Sequence, residues 1–406
     1  MIAARLVLLV AAVAGAVARP FRLPAFVAPA LCGVIAVSAG LISPDHVGDA
    51  LRPLASPLGF LLAAIPLAVL LDRFGYFSAL AASFGGGRLL LPGLWVLAAA
   101  TVAVLNLDAA VVLLTPLYVR VAEKRRLAAR FLGFQPVILA LLASSVLAVS
   151  NLTNLIAVSS AGATTAAIFE HLALPSAVAS AVGYALYRGA RRIAETNGSE
   201  PHDAPSAPPG EASARVVVIG SLVVVLLLVG FVVGPSHGIE PWLVAFGADL
   251  VMIVLTRCLP VSSIPLGTAL VAAGLAVVAA VAAEGISFSS LLSGTGPLAV
   301  LRQAGVAALG ANAVNNLPSF LVLLPSLGHH GGASCALWPV LYGVNAGPSL
   351  LVTGSLASLL WIDTMRRLGV AVRPAQFLKM GLRVGLPAAL AGLLVLMALA
   401  PALGCG

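Results

Sequence analysis

The chain has 406 residues, of which 61% are hydrophobic and only 9% are charged, and its formal net charge is +8. A soluble domain carries about 25% charged residues, so this composition excludes a soluble globular protein and predicts an integral membrane protein. The basic residues cluster in short loops, as membrane orientation requires, and we therefore expect no nucleic-acid partner. Recurrent apolar stretches of about 17–25 residues favour an all-α polytopic fold in the lipid bilayer.

Eight apolar runs read as uninterrupted membrane spans. Four longer regions are interrupted by Asn, Gly, Pro, Ser or Thr, and we interpret the first and third as re-entrant hairpins and the others as broken helices. The fold prediction is therefore about ten spanning helices plus two hairpins. The uninterrupted runs are Ile2–Ala18, Pro24–Ile42, Pro57–Leu71, Leu174–Arg188, Val216–Val233, Trp242–Thr256, Ser263–Ala283 and Val384–Ala400. The interrupted regions are Leu89–Val119, Phe134–Phe169, Pro297–Leu327 and Ala333–Met365.

A polar segment, Glu195–Ala214, divides the chain nearly in half and is rich in Pro, Ser and Ala. It predicts a flexible linker, and the positive-inside rule places it, with every basic cluster, on the cytoplasmic side of the inner membrane. Both termini are then expected outside. The predicted organisation is a leading transmembrane helix (1–23), a first inverted repeat (24–194), the linker (195–214), a linking transmembrane helix (215–240) and a second inverted repeat (241–406).

The inverted repeat is suggested by two segments that align without gaps. "NLDAAVVLLTP" begins at Asn106 and "NNLPSFLVLLP" begins at Asn315, and each reaches a proline ten positions later. Each is followed by a second interrupted region, which contains "VSNLTNL" in the first half and "VNAGPSLLVTGSLASLLW" in the second. Inverted repeats with discontinuous helices are typical of secondary transporters. The pattern therefore predicts a carrier rather than an enzyme.

Unwound backbone at membrane depth is tolerated only where it faces protein or a water-filled cavity, so the four breaks predict a polar chamber. Amide, hydroxyl and glycine residues of the breaks are the candidate substrate-binding groups; the alternative is that the Asn side chains only cap helix ends. These candidates are Asn106, Asn151, Thr153, Asn154, Asn315, Asn316, Asn345, Gly347, Ser349 and Thr353.

Two intramembrane acids, Asp108 and Asp249, are the candidate proton-coupling groups. For Asp108 the alternative is a cap at the hairpin tip. For Asp249 it is an ion pair with Arg257 or Arg302. The four cysteines are scattered without metal-ligand spacing, so we expect no metal site and no cofactor.

The interrupted motifs resemble those of the arsenite/antimonite efflux permeases (ArsB type) of the ion-transporter superfamily. The resemblance rests on "NLDAAVVLLTP", "VSNLTN", "NNLP" and "GPSLLVTGSLASLLW". It implies export of arsenite or antimonite in exchange for protons, with the arsenical-pump ATPase subunit and a second copy of the chain as candidate partners. The sequence departs from the family's motifs at two places that bear on the substrate. Leu107 separates Asn106 from Asp108, and the family's Cys-Asp-Leu-Gly-Pro-Lys is replaced by the six residues from Val344 to Ser349.

Two other functions remain open. A carrier of carboxylates or an Na⁺/H⁺ exchanger of the same superfamily would share the fold. An intramembrane enzyme is disfavoured because the sequence contains no HExxH or GxSxG motif and no phosphate-binding loop.

Overall fold

The computed structural model describes residues 2–18, 23–76, 79–80, 87–190, 214–283, 287–327 and 334–402. Residues 195–213 of the predicted linker and the basic pair Arg19 and Arg22 lie outside this part of the chain. Within it every regular element is helical, which confirms the all-α prediction. Five described helices are long and apolar enough to cross a membrane, judged by length and composition, and shorter apolar helices accompany them.

In both halves a hairpin is followed by a broken helix and then by a closing helix. The first half contains α1 Ile2–Ala18, α2 Val27–Ser38, α3 Pro44–Leu51, α4 Ala55–Arg73, α5 Leu90–Leu105, α6 Leu107–Lys124, α7 Ala129–Leu142, α8 Leu152–Ser160 and α9 Thr165–Gly189. The second half contains α10 Ala214–Val233, α11 Pro241–Thr256, α12 Leu266–Ala283, α13 Ser289–Leu292, α14 Pro297–Val314, α15 Asn316–Leu323, α16 Leu337–Ala346, α17 Leu356–Arg367, α18 Pro374–Met380 and α19 Leu386–Leu399.

Each half contains a helical hairpin whose tip is an asparagine. Helices α5 and α6 meet at Asn106, and the Tyr118 hydroxyl donates to the Leu94 carbonyl across the hairpin. Helices α14 and α15 meet at Asn315, and Ser319 Oγ donates to the Ala307 carbonyl over 3.3 Å. A hydrogen bond between residues on either side of the tip requires the two helices of the hairpin to run antiparallel.

Each hairpin is followed by a helix that is broken in the middle. Helix α7 ends at Leu142 and α8 begins after Asn151, whereas α16 ends at Ala346 and α17 begins after Ser355. The two residues before the resumed helices have nearly the same extended backbone, with φ −147° and ψ 143° at Asn151 and φ −143° and ψ 155° at Ser355. The breaks are therefore equivalent elements of two repeats.

Helix directions show that the repeats are inverted. The closing helices α9 and α19 run antiparallel, since a Cβ at Gly183 would lie 3.5 Å from Ala388 and one at Gly392 would lie 2.5 Å from the Pro175 carbonyl oxygen. Equivalent helices point in opposite directions when one repeat is turned over relative to the other.

Candidate functional site

A cavity with about 920 Å³ of atom-free space, its opening to solvent included, lies where the hairpin tips meet the helix breaks. It is bordered by both tips, by the first turns of α8 and α17, and by side chains of α1, α4 and α12. The lining residues are Val13, Ala16, Ala25, Leu61, Leu107, Asp108, Asn151, Leu152, Thr153, Thr268, Val271, Ala272, Leu275, Asn315, Asn316, Leu317, Leu356, Leu359, Leu360 and Asp363.

Four helices begin at this cavity. The first residues of α6, α8, α15 and α17, which are Leu107, Leu152, Asn316 and Leu356, all line it. The first turn of a helix has backbone N–H groups without partners in the helix, and the helix dipole adds a partial positive charge there. Four such ends around one space favour an anion at that place.

The tips adopt a backbone conformation that normally requires glycine. Asn106 has φ 108° and ψ 149°, and Asn315 has φ 82° and ψ 153°. Such residues persist where the surrounding structure holds them, typically at ligand sites. Asn106 Oδ1 accepts from the Asp108 backbone N–H over 2.8 Å, and Asn315 Nδ2 donates to the Thr353 carbonyl over 3.0 Å. Both side chains therefore fix the tips, and of the two it is Asn315 that also lines the cavity.

A network of amides and hydroxyls joins the two broken helices, and Asn345 is its centre. Asn345 Oδ1 accepts from Asn151 Nδ2 at 2.9 Å and from Thr153 Oγ1 at 2.6 Å. Its Nδ2 donates to Ser145 Oγ at 3.0 Å and to Asn154 Oδ1 at 2.8 Å. An amide has two donor hydrogens and two acceptor positions, so Asn345 uses all of them. Asn345 thereby orients Asn151 and Thr153, which face the cavity.

Asp108 lines the cavity at the start of α6 and is only 4% exposed. Its Oδ1 has no hydrogen-bond partner among the described residues, and the same holds for Nδ2 of the neighbouring Asn106. No Lys, Arg or His occurs among the described lining residues. Asp108 therefore presents a buried carboxyl group with an unpartnered oxygen at the cavity.

Asp249 lies elsewhere, on the face of α11 that also carries the buried Ala245 and Met252. This helix packs on α4, and Asp249 does not border the cavity. Its Oδ1 lacks a hydrogen-bond partner in the described part of the chain. Arg302, one of its predicted partners, instead donates to the Leu291 carbonyl over 3.0 Å. The structure thus separates the two predicted coupling acids.

Three predicted residues build the second break and do not line the cavity. Gly347 packs so closely on α14 that an added Cβ would lie 2.3 Å from the Cβ of Ala308. Thr353 offers its carbonyl to Asn315, and Ser349 packs against Gly381 and borders a separate, small apolar pocket.

The structure also adds residues that the sequence did not single out. Asn312 fastens the second hairpin to the break, donating to the Gly347 carbonyl over 2.9 Å and accepting from the Leu351 N–H over 3.2 Å. Thr268, Asp363 and the lining leucines border the cavity. Asn312 could have been predicted as part of the site because it lies one turn before the tip. Nothing in the sequence distinguishes the lining leucines from other apolar residues.

Comparisons with known proteins agree with this architecture. A protein-family model for citrate transporters (CitMHS) matches residues 2–342. The crystal structure of the YdaH transporter of Alcanivorax borkumensis, described as having an unusual topology, is similar with a TM-score of 0.60 at 15% identity. The similarity covers 89% of this chain and 90% of that chain and concerns the fold.

Proposed function

Because the chain belongs to the citrate transporter (CitMHS) family, a branch of the ion-transporter superfamily, we propose that it is a secondary carrier of small carboxylates in the cytoplasmic membrane. The observation that supports this substrate is the convergence of four helix N-termini on one cavity. A carboxylate oxygen accepts hydrogen bonds from free N–H groups, and these bonds are stronger when the acceptor is charged.

The position of Asp108 implies symport with a proton or another monovalent cation. An ionised Asp108 and a bound carboxylate repel each other within one cavity of low dielectric constant. A proton on Asp108, or a cation beside it, removes this repulsion. By linkage, the carboxylate then raises the affinity for the cation to the same extent. The anion and the cation therefore bind together and cross together.

Uptake into proteoliposomes tests this function. We expect saturable accumulation of labelled succinate, citrate or acetate when an inward H⁺ or Na⁺ gradient is imposed, and protein-free liposomes supply the passive background. If no carboxylate accumulates above that background with either gradient, while the protein remains monodisperse and folded, the proposed function is wrong.

A second candidate is the export of arsenite or antimonite by proton antiport. Arsenite at neutral pH is an uncharged trihydroxide, and the amides and hydroxyls of Asn151, Thr153, Asn315 and Asn316 would bind it through neutral hydrogen bonds. Expression in a bacterial strain without its own arsenite pump separates the two functions. Gained arsenite resistance without carboxylate transport would favour the second.

A further inference from the structure

The cavity lining contains two chemically different sets of side chains. Asp108, Asn151, Thr153, Asn315 and Asn316 form the polar face, at the tips and at the start of α8. The rest of the lining, here called the apolar face, is mostly hydrocarbon from α1, α12 and α17; it includes Val13, Val271, Leu275, Leu356 and Leu359, with Thr268 and Asp363 as its polar members. A substrate that fills this space meets both hydrogen-bonding groups and hydrocarbon.

Two of these leucines are not needed for packing. Leu356 and Leu359 are partly exposed and border the cavity, and neither belongs to the packed apolar clusters found in the described part of the chain. Both lie on the face of α17 that ends at Asp363. Apolar side chains that face a cavity rather than a packing partner offer their surface to a ligand.

The charge balance of the cavity limits the charge of its substrate. Each helix N-terminus is equivalent to roughly +0.5 elementary charge, so four contribute about +2, and an ionised Asp108 removes about one of these. Asp363 is paired with Arg367, whose Nη2 lies 2.7 Å from Asp363 Oδ2. Since no described lining residue is basic, the cavity compensates one carboxylate well and a tricarboxylate poorly.

From the two faces and this charge balance we propose that the preferred substrate is a monocarboxylate with an apolar body, such as an arylacetate or a branched alkyl acid. The inference rests on the carboxylate transport proposed above and narrows its substrate class. The carboxylate binds at the N-termini of α6, α8 and α15, and the apolar body packs on Leu356 and Leu359 of α17. Each methylene group buried on this face strengthens binding by about fourfold.

Calorimetric titration of the protein in nanodiscs, with empty nanodiscs subtracted, tests the proposal. The probes are acetate, phenylacetate, 4-methylpentanoate, succinate and citrate. We expect phenylacetate and 4-methylpentanoate to bind at least tenfold more tightly than acetate, and citrate to bind more weakly than either. Tighter binding of citrate or succinate would overturn the inference and leave the carboxylate carrier standing. If no carboxylate bound or was transported, the proposed function itself would fall.

Variants of the apolar face test where the apolar body of the substrate binds. Leu359→Asn should weaken phenylacetate binding about tenfold relative to acetate, and Val271→Thr, which keeps the side-chain shape, should weaken it about threefold. The matched control is Leu378→Asn on α18, where the leucine is 37% exposed and lies away from the cavity. Phenylacetate affinity that is unchanged in both cavity variants would overturn the proposed site.

Discussion

Asn345 shows how a single side chain can shape the site without touching substrate. Its amide already makes four hydrogen bonds, so a substrate contact would break one of them. Asn345→Asp removes both donor hydrogens and sets a carboxylate oxygen against Asn154 Oδ1. We expect it to lower the free energy of unfolding by about 1–3 kcal/mol. Denaturant unfolding in micelles measures this loss. A double-mutant cycle with Asn154→Ala should be non-additive, and strict additivity would contradict the bond.

Asp108 and Asp249 are both buried acids with an unpartnered Oδ1 in the described structure, which makes them a matched pair. Asp108 borders the cavity and Asp249 does not. Asp108→Asn keeps the side-chain shape but cannot bind and release a proton. We expect it to abolish accumulation driven by a cation gradient while counterflow of labelled carboxylate persists. Asp249→Asn should retain gradient-driven accumulation, and the reverse result would transfer the coupling role to Asp249.

The asparagines were predicted either as binding groups or as helix caps, and at Asn151 the structure shows a cap that also borders the cavity. Asn151 Oδ1 accepts from the Thr153 N–H over 3.2 Å, and Asn151 also borders the cavity. A helix that resumes inside the membrane needs a polar cap at the point where it offers free N–H groups to a ligand. The sequence could therefore predict these positions, whereas the role of each in transport stays a prediction.

At each hairpin tip a single residue adopts an unfavourable backbone conformation. Asn315 has φ 82° and ψ 153°, a region that costs a residue with a Cβ about 1–3 kcal/mol. Asn315→Gly and Asn315→Ala both lose the bond to the Thr353 carbonyl, but only glycine escapes the backbone cost. We expect the glycine variant to be more stable by about 1–3 kcal/mol in thermal unfolding.

The neighbouring Asn312 provides the control for this comparison because it lies inside helix α14. There alanine is favoured over glycine by about 1 kcal/mol, so the order of the two variants should reverse. If alanine were also the better replacement at Asn315, the tip would not have the left-handed backbone.

The hairpins could be predicted as elements because Asn and Pro recur at the same distance in both halves. The order of elements also predicted that the two breaks correspond, but the residues that cap the resumed helices could not be matched, because they are Asn151 in one break and Ser355 in the other. The apolar residues that line the cavity could not be predicted either. An apolar helix surface has the same sequence pattern whether it contacts lipid, another helix or a substrate.

Two observations support the predicted orientation of the molecule in the membrane. Arg366 and Arg367 end α17, which the positive-inside rule places in the cytoplasm. Cys335 precedes α16 and is disulfide-bonded, and disulfides persist on the non-cytoplasmic side. We therefore expect the broken helix α16–α17 to cross the membrane between them. The homodimer and the ATPase subunit stay predictions, since they concern surfaces and partners beyond a single chain.

In this predicted orientation we expect the cavity to open toward the cytoplasm. Its lining includes Ala16 at the end of α1, Thr268 at the start of α12 and Asp363 near the end of α17, which all lie on the side of the arginine clusters. In a background that carries Cys258→Ser, we expect Leu359→Cys to react with a membrane-impermeant maleimide faster in inside-out than in right-side-out vesicles. A transported carboxylate should slow this reaction because it occupies the same space.

Ser290→Cys is the opposite control for vesicle sidedness. Ser290 is exposed and lies between α12 and the second hairpin, on the side where the predicted topology has the hairpin enter from outside. It should react in right-side-out vesicles and be protected in inside-out ones. If Leu359→Cys reacted faster from the outside while Ser290→Cys kept its expected sidedness, the cavity would open to the outside. If the sidedness of both variants were reversed, the inverted repeats would have the opposite orientation.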